Sequence, residues 1–240
     1  MLRVNWNYIK MFVLLGLVVF LFSFSANRNE DRAISIPKVE FVSESNLFIT
    51  NETVSKLLIQ NCGGVKNVPK ETLDLNELEK ALKSNPMVKS AEVYVAVNGS
   101  LSAKIEQKTP IARVSTNASY YIDDEGLFMP LSKNYSARVP LVTGYVEKNN
   151  LNSVYKVASK IKDDEFLKKH VIEIHQDLNS NIFLRLRKYE FLVQLGDVSF
   201  LDKKVNNLKA FYKKNFKDKT LSNYSKVNLQ FENQVICTKI

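Results

Sequence analysis

Histidine, cysteine and glycine are scarce in this 240-residue chain, which holds two histidines, two cysteines and seven glycines. So few histidines leave little to activate a hydroxyl nucleophile or to bind a metal ion. The glycines form no phosphate-binding loop, and no G-x-S-x-G pattern occurs. The sequence therefore nominates no catalytic, cofactor-binding or metal-binding residue. It disfavours an enzyme, although a Ser–Lys dyad stays open.

The scarce residues that are present have simple structural interpretations. His170 and His175 would point to opposite faces if they lie on one strand, and no cysteine pair or carboxylate completes a metal pattern. Cys62 and Cys237 fall in different predicted domains, which favours two unpaired thiols over a disulfide. The acidic run at 123–125 precedes a glycine and is typical of a turn rather than of paired acid–base carboxylates.

Positive charge exceeds negative charge, with a formal net charge of +9. Residues 151–240 hold 17 Lys and Arg against 10 Asp and Glu, whereas residues 1–150 hold 17 against 15. Much of the excess lies in DKKVNNLKAFYKKNFKDK. A nucleic-acid-binding helix is one interpretation, and a solvated helix face is the favoured one. We expect no nucleic-acid partner and no small-molecule substrate.

One long apolar run lies near the N-terminus. Residues 11–27 carry no charge, and with Trp6, Tyr8 and Lys10 at the interface the run approaches the ~20 residues of a membrane span. Lys and Arg on the short side favour a cytoplasmic N-terminus. A cleaved signal peptide is the alternative, because residues 23–25 read Ser-Phe-Ser. Both interpretations place the rest of the chain outside the cytoplasm, and we predict the uncleaved anchor.

A strand, two helices and a hairpin are predicted next. SIPKVEFVS reads as a strand, and Thr50 or Asn51 can cap a helix that ends at the glycines 63–64. A second helix begins after Asp74 and stops at an Asn-Pro pair. MVKSAEVYVAVNGSLSAKIEQ then alternates apolar and polar residues on either side of the Asn-Gly at 98–99. This pattern predicts a β-hairpin with a type I′ turn.

Beyond Pro110 the pattern predicts a β-rich domain with two helices. VNLQF alternates apolar and polar residues, and little follows it. The sequence thus predicts a closing strand at Val227–Phe231 with an exposed edge, which invites another chain to pair with it. The other predicted elements are strands around the acidic turn within 111–132, a strand ending at Gly144, a helix over 150–170, strands over 171–197 and a basic helix over 200–216.

The order of the first five elements, just beyond an anchor, resembles a POTRA domain. LDLNELEKALKSNPMVKSAEVYVAVNGSLSAKIEQKTPIARV resembles the cell-division protein FtsQ/DivIB family, and YYIDDEGLFMPL, VPLVTG and the basic helix before VNLQF resemble later parts of that family. Two departures are the short N-terminal tail and the residues 107–109 before Pro110. The resemblance implies an α+β fold with a cytoplasmic tail (1–10), a transmembrane helix (11–26), a linker (27–35), a POTRA domain (36–108) and a mixed β-rich domain (109–240) with two helices ending on an edge strand.

The resemblance also implies a function. Members of this family are non-catalytic, single-pass scaffolds of the inner membrane at the division septum, which link early and late division proteins and control septal peptidoglycan synthesis. They bind small single-span proteins of the FtsB/DivIC and FtsL type, and need no cofactor. The alternatives are a POTRA-bearing export or envelope-assembly factor and an exported cell-wall hydrolase. Carried onto this chain, the implied partner-binding residues are Val227, Leu229, Gln230, Phe231, Glu232, Asn233 and Val235.

Overall fold

The contacts between residues divide the chain into two compact units, Met1–Gln107 and Lys108–Ile240. Each unit has a hydrophobic core of its own. A computed structural model describes residues 6–30, 35–42, 48–61, 73–96, 100–232 and 234–240.

The N-terminal apolar run forms helix α1, Trp6–Glu30. The side chains from Met11 to Phe24 are all exposed. Because the helix continues to Glu30, the predicted linker residues 27–30 are helical, and residues 31–34 lie outside the described ranges. Within the residues that the structure describes, no helix combines the length and the apolarity that a membrane crossing requires.

The rest of the first unit is a small sheet with two helices against it. Its elements are β1 (Ser35–Phe41), α2 (Asn51–Asn61), α3 (Leu75–Lys83), β2 (Val88–Val95) and β3 (Ser100–Gln107). β3 lies in the middle, parallel to β1 and antiparallel to β2. The predicted order of strand, helix, helix, strand, strand is confirmed. Apolar side chains from both helices and all three strands form one core, so burial of the helix faces stabilises this unit.

The helix caps in this unit follow the predicted chemistry. The backbone N–H of Thr53 donates to Thr50 Oγ1 at 3.2 Å, so Thr50 caps α2. The carboxylate of Asp74 accepts from the N–H groups of Asn76 and Glu77 and caps α3. Helix α2 ends at Asn61 among the described residues, and the glycines and the Asn-Gly turn that the sequence singled out lie outside them.

The second unit is a nine-stranded sheet with helices packed on it. Its elements are β4 (Pro110–Ser115), β5 (Ser119–Asp123), β6 (Phe128–Met129), β7 (Leu141–Gly144), α4 (Asn152–Asp163), α5 (Glu165–His170), β8 (Val171–Gln176), β9 (Ile182–Leu186), β10 (Leu192–Gly196), α6 (Leu201–Lys217), a 3₁₀ helix (Leu221–Asn223), β11 (Tyr224–Asn228) and β12 (Ile236–Lys239). The strand order is β12-β11-β10-β9-β8-β7-β4-β5-β6. Alternate residues of the strands are buried with the apolar faces of the helices in a single core.

Two sequence predictions for this unit are wrong. The helix predicted over 150–170 is two helices, because Asp164 takes an extended conformation between them and its carboxylate accepts from the N–H of Leu167 at 3.1 Å. Helix α4 thus ends before Asp164, and Asp164 caps the start of α5. The described part of this unit therefore holds three α-helices rather than two. It also closes on a hairpin of β11 and β12, not on a single strand.

The acidic run is a turn, as predicted. Asp123 Oδ1 accepts from the N–H groups of Glu125 and Leu127, and Oδ2 accepts from Lys108 Nζ at 2.7 Å. Gly126 has φ +80°, the left-handed region that glycine occupies without strain. The carboxylate of Asp123 is buried, and this burial is tolerated because backbone amides and an ammonium group satisfy its oxygens.

Candidate functional site

The two edges of the large sheet differ in what they offer another chain. One edge is β6, which has only two residues, and short edge strands are poor templates for pairing. The other edge is β12, with four residues. In the part of the chain that the structure describes, no strand pairs with the outer side of β12. Alternate N–H and C=O groups of this strand therefore face away from β11 and can accept another strand.

Both edges of the small sheet carry features that block pairing. On β1, Pro37 has no N–H, and Lys38 forms an ion pair with Glu40 at 2.7 Å. On β2, the N–H of Val93 donates to Glu79 Oε1 at 2.9 Å, so a side chain of α3 occupies an outward-facing donor. Strand β12 contains no proline. The outer side of β12 is therefore the edge best suited to adding a strand.

The predicted position of the free edge is wrong by one strand. Strand β11 pairs in parallel with β10, where Val193 faces Val227, and antiparallel with β12, where Cys237 faces Val227. Both edges of β11 are thus occupied. Val227 and Leu229 are 0% exposed, because their side chains fill the core beneath α6. They shape the sheet, and their side chains are not available to a partner.

A helical crossover places β11 inside the sheet. Parallel strands need a long connection, and α6 provides it between β10 and β11. At its end, Asn215 Nδ2 donates to the carbonyl of Phe211, while Asn215 Oδ1 accepts from Thr220 Oγ1 and Tyr224 Oη at 2.9 and 3.0 Å. Asn215 is buried, and these bonds satisfy it. The side chain of Asn215 thus connects the end of α6 to the first residue of β11.

A buried lysine sets the start of α6. Lys204 Nζ donates to the carbonyl oxygen of Asp197 at 2.8 Å and to its carboxylate at 2.6 Å. The Lys204 hydrogen bond is the main cause that holds the pKa of the Asp197 carboxyl below its ordinary value. Phe200, the residue before α6, has φ +51°, an unusual conformation for a large side chain. The Lys204 contacts hold this connection between β10 and α6.

The segment between β11 and β12 carries the other predicted site residues. Gln230 Oε1 accepts from Gln194 Nε2 at 2.9 Å, which ties the segment to β10. Phe231 is 45% exposed, and Glu232 lies 3.6 Å from Lys203 of α6. Val235 is half-buried against the core, and Asn233 lies outside the described residues. Phe231 and Glu232 are therefore accessible beside the entry to β12.

The sequence interpretation missed the edge strand itself. Ile236 is 44% exposed, Thr238 is exposed, and Cys237 between them is half-buried against the core. Burial raises the pKa of the Cys237 thiol, so the thiol stays protonated at neutral pH. The β-branched residues Val235, Ile236 and Thr238 after the polar stretch 232–234 could have revealed this strand. It was overlooked because VNLQF has the stronger apolar pattern.

The two histidines lie in different environments. His170 closes α5, so it does not share a strand with His175, and its ring lies 4.7 Å from that of Phe166. Burial, then Lys169 and Arg187, lowers the pKa of His170. These contacts make His170 part of the packing between α5 and α6.

His175 lies on the sheet face in a small polar cluster. Thr143 Oγ1 donates to Glu173 at 2.7 Å and lies 2.9 Å from His175 Nδ1. Since the hydroxyl has one proton and gives it to Glu173, His175 must donate at Nδ1. In this arrangement His175 does not accept the proton of Thr143, so the pair is not a hydroxyl activated by a histidine. Among the described residues, no three His, Cys, Asp or Glu side chains converge as metal ligands do.

Comparison with known proteins agrees with this architecture. Residues 109–238 match the family described as FtsQ/DivIB, C-terminal related, and residues 42–106 match the POTRA-like domain. The fold is thus a mixed α+β fold with a POTRA-like domain and a β-rich C-terminal domain. A curated relative is the cell division protein FtsQ of Geotalea daltonii, 25% identical over 180 residues, which cover 70% of this chain. The matched region spans 64% of that relative's length.

Proposed function

The chain belongs to the FtsQ/DivIB family, and from this membership we propose that it is a non-catalytic, membrane-anchored scaffold of the bacterial cell-division machinery. It links early and late division proteins and controls septal peptidoglycan synthesis through the partners it holds. The partners are small single-span proteins of the FtsB/DivIC and FtsL type. The relative that this chain resembles is itself described as a cell division protein.

The outer edge of β12 carries this proposal. A partner segment adds there as a further strand, and its backbone hydrogen bonds supply affinity. The exposed side chains of Ile236 and Thr238 on one face of β12, with Phe231 at its entry, supply the choice of partner and register. This moves the binding strand from Val227–Phe231 to Ile236–Lys239. Of the residues first assigned to the partner site, Phe231 and Glu232 keep that role.

We propose that α1 anchors the scaffold to the inner membrane, with the N-terminus in the cytoplasm and both folded domains outside it at the division septum. The support is that the apolar side chains from Met11 to Phe24 are exposed around the whole helix, which is unfavourable in water. Confining the scaffold and its single-span partners to one membrane raises their effective concentration, so a short edge strand suffices. Alkaline carbonate extraction tests this anchor: the chain should stay with the membrane pellet.

Cysteine crosslinking in cells tests the docking strand. A cysteine replaces Thr238 in a chain whose Cys62 and Cys237 are serine, and successive positions of a candidate FtsB-type partner are scanned with cysteine. Strand addition predicts crosslinks at every second partner position, because side chains of a strand alternate between faces. Leu178, which is exposed on the loop between β8 and β9, is the matched control site and should give none.

The three possible failures are distinguishable. Crosslinks from Leu178 equal to those from Thr238 would mean random collision. A partner that is recruited to the septum without any crosslink at Thr238 would place the docking surface elsewhere and leave the division role standing. A chain that never gathers at the septum would overturn the scaffold itself.

A further inference from the structure

A pocket of about 440 Å³ lies at one end of the second unit, away from the elements that form the β12 edge. Its volume is within the ~300–1,000 Å³ range of sites that take small ligands or side-chain anchors. Apolar groups line it, among them Ile111 and Ile161 from β4 and α4 and Val171 and Ile172 from β8. Ile172 is 41% exposed, so part of its side chain is accessible at this pocket.

Four cations stand around this apolar surface. Arg138 comes from the loop before β7, Lys162 from the end of α4, Lys168 from α5, and Arg187 from the residue after β9. All four residues are exposed. The described residues that line the pocket include no Asp or Glu. In the described part of the chain none of the four takes part in an ion pair, so their charge is available to a ligand.

Absence of an ion pair alone does not single these cations out. Lys160 of α4 pairs with Asp202, but other exposed lysines of this unit, such as Lys213 and Lys217 of α6, have no ion pair in the described part of the chain. What distinguishes the four cations is that they line one apolar pocket whose described lining holds no carboxylate. A concentration of unpaired positive charge around an apolar surface is complementary to a ligand with several negative charges around an apolar group.

We propose that this pocket binds an acidic peptide segment of a partner protein, in which carboxylate side chains flank one apolar anchor residue. The pocket lining supplies four cations from four separate segments of the fold, so the complementary ligand carries several anionic groups together with its apolar group. A peptide with acidic residues before and after a leucine or phenylalanine provides this arrangement, whereas a fatty acid or lipid carries its charge at one end. The two arginines suit bidentate carboxylate contacts. This site goes beyond the proposed strand docking and does not depend on it.

Fluorescence anisotropy with the full chain in non-ionic detergent tests the proposal. The probe is a fluorescein-labelled peptide with four glutamates on each side of a central leucine. The second probe has serine in place of the leucine. Because the leucine would be buried, we expect the serine peptide to bind about tenfold more weakly. Added salt should weaken both peptides, since the charged contacts are at the surface.

A charge-matched pair of variants locates the binding. Arg138→Gln with Arg187→Gln removes two pocket cations and should weaken the leucine peptide about fivefold or more. Lys213→Gln with Lys217→Gln removes the same charge from exposed positions of α6 outside the pocket and should change binding less than about twofold. All four residues are exposed, so folding should be unaffected. Ile172→Ser should weaken the leucine peptide and leave the serine peptide unchanged, because only the leucine uses that wall.

Several results would overturn the proposal. No saturable binding of the leucine peptide to the unaltered chain would do so, as would equal binding of the two peptides. If Lys213→Gln with Lys217→Gln weakens binding of the leucine peptide as much as the pocket pair does, the effect comes from net charge and not from the pocket. If sodium laurate displaces the probe at lower concentration than the unlabelled peptide does, the pocket binds an amphiphile and the peptide assignment is wrong.

Discussion

The contacts of Lys204 give a prediction that separates two effects: the attraction between its ammonium group and the Asp197 carboxylate, and the cost of removing that ammonium group from water. The Lys204 side chain is 5% exposed, whereas that of its partner Asp197 is 70% exposed. Asp197→Ala leaves the ammonium buried with one backbone acceptor. We expect the free energy of unfolding to fall by about 1.5–3 kcal/mol, the usual range for a hydrogen bond to a charged group. Lys204→Met removes the buried charge, keeps the aliphatic stem and returns the carboxylate to water, so we expect a change within about 1 kcal/mol.

The measurement is urea unfolding of the full chain. Hydrogen exchange in peptides from α6, detected by mass spectrometry, reports the unfolding of the second unit. Exchange at α6 is specific to the second unit, so unfolding of the first unit does not confuse it. The pH dependence has a defined sign. The pKa of Asp197 is lowered from 3.8, so its contribution is present at neutral pH and is lost as the pH falls below about 3.8 through the folded value. Equal destabilisation by Lys204→Met and Asp197→Ala would refute the reasoning, since it would show that the ion pair is worth more than the burial of the lysine.

Three further predictions follow from single positions. Gly144 has φ +87°, and a Cβ there would lie 2.0 Å from the carbonyl oxygen of Gln176; Gly144→Ala should therefore lower the free energy of unfolding by about 2 kcal/mol or more, measured by urea titration, and an unchanged midpoint would contradict this. Because burial lowers the pKa of His170 from 6.5, stability should fall as the pH drops below about 6.5 toward the folded value, and His170→Phe should remove this dependence in thermal unfolding. The protonated, half-buried thiol of Cys237 should react with maleimide more slowly in the folded chain than in urea when Cys62 is serine, and equal rates would show that Cys237 is not packed against the core.

Local chemistry predicted the first unit well. Thr50 and Asp74 act as caps because a side-chain oxygen beside the first turn satisfies free N–H groups whatever the rest of the fold does. The acidic turn at Asp123 and the positive φ of Gly126 follow from the same short-range rules. In contrast, the sequence predicted α4 and α5 as one helix, because the apolar spacing continues through Asp164 and only the cap geometry shows the break.

The candidate site shows where local reasoning ends. Apolar alternation predicted a strand at Val227–Phe231, which overlaps β11 (Tyr224–Asn228) only in part, and said nothing about which strands lie beside it. The α6 crossover inserts β11 next to β10, and β12 folds back on its other side. The apolar–polar alternation is strongest around Val227 and Leu229 because these side chains are buried on one face of the sheet. The edge that can meet a partner lies in the shorter and weaker strand, Ile236–Lys239.

By itself the sequence determined most of the elements, their order and the family, because periodicity, caps and turns act over a few residues and the order of the elements is carried along the chain. It also determined the excess of positive charge toward the C-terminal part. Only the tertiary structure decided which strand has a free edge and which cations stand together. The parallel pairing of β11 with β10, and the meeting of Arg138 with Arg187 at one pocket, join residues distant in sequence, and no local pattern encodes such a meeting.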